Sequence, residues 1–357
     1  MMPPTASPAK HSLRIVVMGT GPFAVPMFQS LLQSPHAVVA VVTRPAHAPA
    51  GRRPPPNPMR DAASAAGLPI LDPERINDPA AIGAIKALEP DLLVVCDYGQ
   101  ILSPAALAIA PYGGINLHGS LLPRHRGAAP VQWAILAGDA VTGTSVIHMT
   151  PALDAGNVIA VRETPIAADE TAVNVEQRLA ELGVAAVLEA IETLVAAGAG
   201  STPGVPQDPA RVTRAPRLSK ADGLVDWSQP AAKIARMRRA LEPWPRTATF
   251  LRAGTGRPPL RVVLEEVAEA EAESKVEADD PADALAGVLG AKPAAALGTK
   301  PFPTPGTVLT ADDAGIVVAC GEGTRLVVRR LVPEGKRSMS AAEFLRGKGL
   351  FGDARFG

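Results

Sequence analysis

The sequence predicts an α/β fold: a parallel sheet with flanking helices, followed by a second domain built as a small β-barrel. Three observations carry this. Through the first half of the 357-residue chain, apolar runs of strand length alternate with helical patterns. A Gly/Ser/Pro stretch, Gly200 to Pro206, then breaks the pattern. Short apolar runs separated by glycine turns follow it.

Leu13 to Met18 reads as a buried first strand. Gly19-Thr20-Gly21-Pro22 turns it into a helix carrying Val25, Phe28, Leu31 and Leu32. Ala37 to Val42 is a second strand, followed by a Pro-rich loop with Arg52, Arg53 and Arg60. A helix with Ala62, Ala65 and Ala66 leads to the short strand Pro69 to Leu71. Asp91 to Cys96 is the next strand, and a short helical segment, Pro104 to Ala110, precedes Gly113-Gly114-Ile115-Asn116-Leu117-His118. Thr144 to Met149 and Val158 to Val161 are further strands. A long helix spans Thr171 to Ala197, with Val175, Leu179, Leu182, Leu188, Ile191 and Val195 on one stripe. Beyond the break come a basic helix, Pro230 to Leu241, and the strands Ala248 to Leu251, Leu260 to Leu264, Gly306 to Leu309, Gly315 to Ala319 and Arg325 to Val332.

Composition narrows the class. Aromatics are only 3 % of the chain, so the cores must pack from small aliphatic side chains. Cys96 and Cys320 are far apart and lack metal-ligand spacing, which reads as reduced, buried thiols in a cytoplasmic protein. Leu13 to Met18 is too short for a signal-peptide core, and no run approaches the roughly 20 apolar residues of a membrane span. The formal charge is zero, but Glu265 to Asp280 holds eight acids against one lysine. The remainder is correspondingly basic, so a polyanionic partner stays open.

Gly19 to Ala24 matches a loose G-x-G-x-x-A dinucleotide fingerprint. The second strand ends in Thr43-Arg44, with no acid for a ribose hydroxyl, so the glycines are read as a tight strand-to-helix turn and no NAD(P) is expected. Asn116 and His118 stand two apart and face one way on an extended segment. Leu153-Asp154-Ala155-Gly156 supplies a carboxylate on a turn. A carboxylate close to an imidazole favours its charged form and fixes its tautomer. An imidazolium and an Asn N–H together can stabilise an oxyanion. Ser120 lacks the flanking glycines of a nucleophile elbow. His118, His125 and His148 have no zinc spacing, so no metal is expected; His11, His36 and His47 read as tail or surface residues.

Asn116 to Pro130, with Leu153 to Gly156, resembles the signature of the folate-dependent formyltransferases. Members acting on glycinamide ribonucleotide or sugar nucleotides share it. The other segments resemble the branch of that family that formylates methionyl-tRNA: Ala50-Gly51-Arg52, Arg217 to Lys220, Gly223 to Trp227, Pro243-Trp244-Pro245, Pro305 to Val308 and Pro333 to Leu345. The resemblance covers nearly all of Leu13 to Gly347. It implies a Rossmann-like formyltransferase domain and a C-terminal OB-fold-like barrel. The expected organisation is a disordered tail, 1–11; a catalytic domain, 12–199; a linker, 200–220; and a tRNA-binding domain, 221–357, with a disordered insert at 265–300.

The implied reaction transfers the formyl group of 10-formyltetrahydrofolate to the α-amine of methionyl initiator tRNA. By resemblance, Asn116, His118 and Asp154 are the catalytic trio. Ser120, Leu121, Leu122, Pro123, Tyr98 and Gly99 meet the folate, and Phe23 meets the methionyl side chain. Arg52 falls on the loop that enters the acceptor-stem region; Arg53, Lys220, Lys233, Arg236, Arg238 and Arg239 are further expected tRNA contacts. A monomer with no membrane association is expected. Asp97 replaces a small residue of the family pattern and His125 an aromatic one. A sugar-nucleotide or purine-precursor formyltransferase is one rival reading, and an RNA-binding protein on an inactive formyltransferase scaffold is another.

Overall fold

The computed structural model describes residues 12–46, 54–252, 258–270, 302–348 and 354–357. The expected tail, Arg52, Arg53 and most of the expected insert lie outside these. The chain divides into two compact units, meeting in sequence at Leu218 and Ser219.

In the first unit the strands are β1 (Arg14–Gly19), β2 (Ala37–Val42), β3 (Ile70–Leu71), β4 (Leu92–Cys96), β5 (Gly114–His118), β6 (Arg126–Gly127), β7 (Val141–His148), β8 (Val158–Pro165) and β9 (Arg214–Ala215). The helices are α1 (Val25–Leu32), α2 (Pro58–Ala65), α3 (Pro79–Lys86), α4 (Pro104–Leu107), α5 (Pro130–Ala137) and α6 (Ala172–Ala197). The main sheet has seven strands in the order β3-β2-β1-β4-β5-β7-β8. The expectation of a parallel sheet holds from β3 to β5, whereas β7 and β8 run antiparallel. Strand β7 is buried at every residue but its first, its threonines and serine included, so it shows no alternation that would mark an antiparallel strand.

Strand order reverses at β1 and β4, where the carboxyl ends of α/β strands open a crevice. Val16, Met18, Leu93 and Val95 bury one face of these central strands. Helix α6 starts with a capping box, in which Thr171 and Asn174 each cap the other's backbone N–H. Its Val175, Leu179, Val187, Ile191 and Leu194 are buried.

The second unit holds β10 (Ala248–Arg252), β11 (Leu260–Glu269), β12 (Val308–Asp312), β13 (Gly315–Ala319), β14 (Arg325–Pro333), β15 (Met339–Ser340) and β16 (Arg355–Phe356), with α7 (Ala231–Ala240) and α8 (Ala341–Lys348). The sheet runs β12-β13-β14-β11-β10-β16, all antiparallel. A bridge from Arg355 to Thr307, just before β12, brings the last strand back to the first and nearly closes a barrel of OB-like form. Trp227, Leu251, Leu264, Val328 and Phe344 fill it, and Trp227 Nε1 donates to Thr249 Oγ1 at 2.9 Å.

One expectation needs correcting here. The insert was placed from Glu265, but β11 continues to Glu269. Glu265 is half-buried and meets Arg246 at 2.6 Å, while Glu266 is exposed, 3.9 Å from Arg329.

Candidate active site

Asn116 and His118 share one face at the carboxyl end of β5. Leu117 points the other way and is buried against α6, where a Cβ on Gly183 would lie 2.7 Å from its Cδ2. Glycine at that helix position lets α6 sit close on the strand. Asn116 is half-buried beside Val95 of β4, and His118 is 6 % exposed.

The loop after β5 orients the imidazole. His118 Nε2 lies 2.9 Å from the carbonyl oxygen of His125. A carbonyl only accepts, so Nε2 carries the proton and donates. Nδ1 is left facing Asp154, whose Oδ2 is 3.8 Å away. That separation is wider than a direct hydrogen bond, and both side chains are largely buried. Asp154 sits on the turn between β7 and β8 at φ +50°, a left-handed conformation that Asp adopts more readily than most residues. Its Oδ2 accepts from the Gly127 N–H at 2.9 Å.

His125 is fixed in turn. It stands at φ +60°, its N–H donates to Thr213 Oγ1 at 2.8 Å, and its Nε2 donates to Asp139 Oδ2 at 2.7 Å. Arg124 pairs with the other Asp139 oxygen. Burial disfavours the Asp139 carboxylate, but the hydrogen bonds from Arg124 and His125 outweigh it and hold its carboxyl below the usual range.

Phe23, Tyr98, Gly99, Asn116, His118 and Asp154 line one cavity of about 440 Å³. Ser120, Leu121, Leu122 and Pro123 do not line it. The Ser120 hydroxyl donates to the Arg124 carbonyl at 2.7 Å, and Ser145 Oγ ties the Ser120 carbonyl to the Leu122 N–H. The loop expected to meet folate spends these polar groups on its own turn. Tyr98 is buried, which pushes its phenol up to about 12 against the opposing effect of Arg44.

Asp97 and Glu176 also line the cavity. Burial raises the Asp97 carboxyl, and a hydrogen bond from the Gly21 backbone partly offsets this. Burial raises Glu176 too, with the Asp97 charge adding to it. The space that a Gly21 side chain would occupy is filled by the Asp97 carboxyl. His148, another lining residue, is lowered by burial, and its Nε2 lies 3.0 Å from the Pro203 carbonyl. Among the described residues, no group of three His, Cys, Asp or Glu is placed to hold a metal ion. His36 Nδ1 accepts from the Leu13 N–H at 3.2 Å and is half-buried rather than a surface residue.

Of the expected basic contacts in the second unit, Lys220 and Lys233 are exposed and Arg236 and Arg239 are half-buried. Lys233 Nζ donates to Gln229 Oε1, and Arg238 Nε donates to the Glu265 carbonyl at 2.5 Å. Helix α7 is therefore less of a free basic face than its composition suggests. No described helix is long and apolar enough to cross a membrane.

Residues 13–191 match the formyl transferase family, and residues 217–349 match the formyl transferase C-terminal domain. The methionyl-tRNA formyltransferase of Rhodopirellula baltica is 44 % identical over 347 residues, 95 % of each chain. That of Desulfotalea psychrophila is 37 % identical, covering 95 % of this chain and 94 % of its own. Among solved structures, a sugar 3N-formyl transferase, WlaRD, shares the fold with a TM-score of 0.59 at 12 % identity, over 92 % of this chain and all of its own. HypX from Aquifex aeolicus in complex with tetrahydrofolic acid gives 0.56 at 18 % identity, over 95 % of this chain and 48 % of its own.

Proposed function

The chain belongs to the methionyl-tRNA formyltransferases, and on that premise we propose that Asn116, His118 and Asp154 are its catalytic groups. The enzyme moves the formyl group of 10-formyltetrahydrofolate to the α-amine of methionyl initiator tRNA, giving N-formylmethionyl-tRNA for translation initiation. The observation that supports the assignment is the 3.8 Å approach of His118 Nδ1 to Asp154 Oδ2 on a cavity that Asn116 also lines.

A free α-amine titrates near about 7.7, so a useful share arrives unprotonated at neutral pH. Its nitrogen forms a bond to the formyl carbon, and the carbonyl electron pair moves onto oxygen. The Asn116 N–H and a proton on His118 Nδ1 stabilise that oxyanion; losing one such donor typically costs about 10²–10³ in rate. Collapse breaks the bond to the folate nitrogen. The amine gives up a proton and the departing folate nitrogen gains one, a transfer that Asp154 and His118 relay directly or through a water. The enzyme contributes no covalent nucleophile: the Ser120 hydroxyl is buried and already donates to a carbonyl.

In this reading Tyr98 and Gly99 border the folate and Phe23 the methionyl side chain. Ser120 to Pro123 act by holding the His125 loop. Arg52, Arg53, Lys220, Lys233, Arg236 and Arg239 meet tRNA phosphates. The enzyme works as a cytoplasmic monomer. The test is incubation with 10-formyltetrahydrofolate and methionyl-tRNA, initiator against elongator. Formylation of the initiator form is expected. Transfer to a small amino sugar, with none to charged tRNA, would overturn the reading.

A further inference from the structure

Residues 200–220 read in sequence as a linker, yet part of this segment is hydrogen-bonded to the site itself. Gln207 Nε2 donates to the Asp154 carbonyl and to the Gly156 carbonyl, each at 2.8 Å, so both amide protons grip the turn that presents Asp154. Its Oε1 accepts from Arg126 Nε at 3.1 Å and Nη2 at 2.8 Å. The guanidinium only donates and the two carbonyls only accept, so the amide has a single orientation that satisfies all four contacts.

Arg126 is itself fixed from the same segment. Strand β6 pairs in parallel with β9, and the Arg126 N–H donates to the Thr213 carbonyl at 2.9 Å. Gly127, whose N–H holds Asp154 Oδ2, stands at φ +135° with no room for a Cβ, which would fall 2.3 Å from the Ala215 carbonyl oxygen. Asp154 is thus held twice, by side chain through Gly127 and by backbone through Gln207. The second hold falls on the backbone of the residue that stands at φ +50°.

We infer that Gln207 is a positioning residue for formyl transfer: by bridging Arg126 to the Asp154 turn it sets the Asp154 carboxylate opposite His118 Nδ1. This rests on the catalytic reading of Asp154 given above. An amide suits the position and a carboxylate does not. Glu at 207 would still pair with Arg126 but would turn oxygen toward two carbonyl oxygens.

The test compares single-turnover formyl transfer and tetrahydrofolate affinity in the full-length protein carrying Gln207→Ala, Gln207→Glu or Gln207→Asn, each alone and with Asp154→Asn. Misplacing a reacting group by about 1 Å costs about 10²-fold. Gln207→Ala and Gln207→Glu are expected to slow transfer by about that factor with folate affinity unchanged, and to add nothing once Asp154 is Asn. Gln207→Asn, one methylene short, is expected to slow it less and serves if the larger changes prevent folding. An unchanged rate, an effect on KM alone, full activity in Gln207→Glu, or the same loss in both backgrounds would overturn the inference. If Asp154→Asn alone leaves the rate intact, the catalytic reading itself is what has failed.

Discussion

Asp154→Asn isolates the charge opposite His118 while sparing the turn. The amide oxygen still accepts from the Gly127 N–H, and the backbone contacts to Gln207 do not involve the changed atoms. What is lost is the attraction between a carboxylate and the imidazolium formed as the oxyanion develops. The two atoms stand 3.8 Å apart, with side chains 7 % and 12 % exposed. With an effective dielectric constant of about 20, unit charges at that separation attract by about 4 kcal/mol. Each 1.36 kcal/mol is tenfold in rate, so the expected loss in the transfer step is up to about 10³-fold. Rapid-quench measurement with radiolabelled 10-formyltetrahydrofolate reads that step, and equilibrium dialysis with tetrahydrofolate reads binding. An unchanged rate would refute the electrostatic argument. An equal fall in rate and affinity would make Asp154 a binding group instead.

Gly183→Ala gains about 1 kcal/mol of helix propensity, but its Cβ meets Leu117 Cδ2 at 2.7 Å, and overpacking a core costs about 1–3 kcal/mol. Net destabilisation is expected in urea unfolding, with a loss of activity because Leu117 separates Asn116 from His118. Glu176→Gln concerns a carboxyl raised mainly by burial, so the folded state binds its proton more tightly than the unfolded state does. Its penalty is absent below the ordinary carboxylate range and grows as pH rises through the folded value. The variant should therefore be more stable than the parent near neutral pH, and the gap should close near about pH 4. Asp139→Asn removes a carboxyl held low by Arg124 and His125, whose contribution is present above the ordinary range and lost as pH falls through the folded value. It should lower stability at neutral pH, reduce the acid sensitivity of unfolding, and slow transfer by loosening the His125 carbonyl on His118.

Strand periodicity was enough to place Asn116 and His118 side by side, because a period of two allows one face only. The helical stripe was legible only in part: Val175, Leu179 and Ile191 are buried as read, whereas Leu182, Leu188 and Val195 are half-buried and Val187 and Leu194 take the inner face instead. Direction was not: a strand buried on both faces, such as β7, reads alike in either sense. Helix α5 carried two unused signals, Pro130 at its first position and Gly138 at φ +78° closing its end. The extra length of β11 was hidden because its acids looked like a solvated run; Glu266 and Glu269 are indeed exposed, but Glu265 is half-buried against Arg246. Gln207, Thr213 and Asp139 left no trace in pattern or spacing. Their partners lie far along the chain, and only the closed fold brings Gln207 to Asp154 or Thr213 to His125.

The account is tested most directly by a crystal structure of the full-length enzyme with a hydrolysis-resistant 10-formyl folate analogue. The formyl oxygen is expected within hydrogen-bond reach of both Asn116 Nδ2 and His118 Nδ1, with Asp154 beside the open face of the carbon. A formyl group bound away from those two nitrogens, with the trio left untouched, would contradict it.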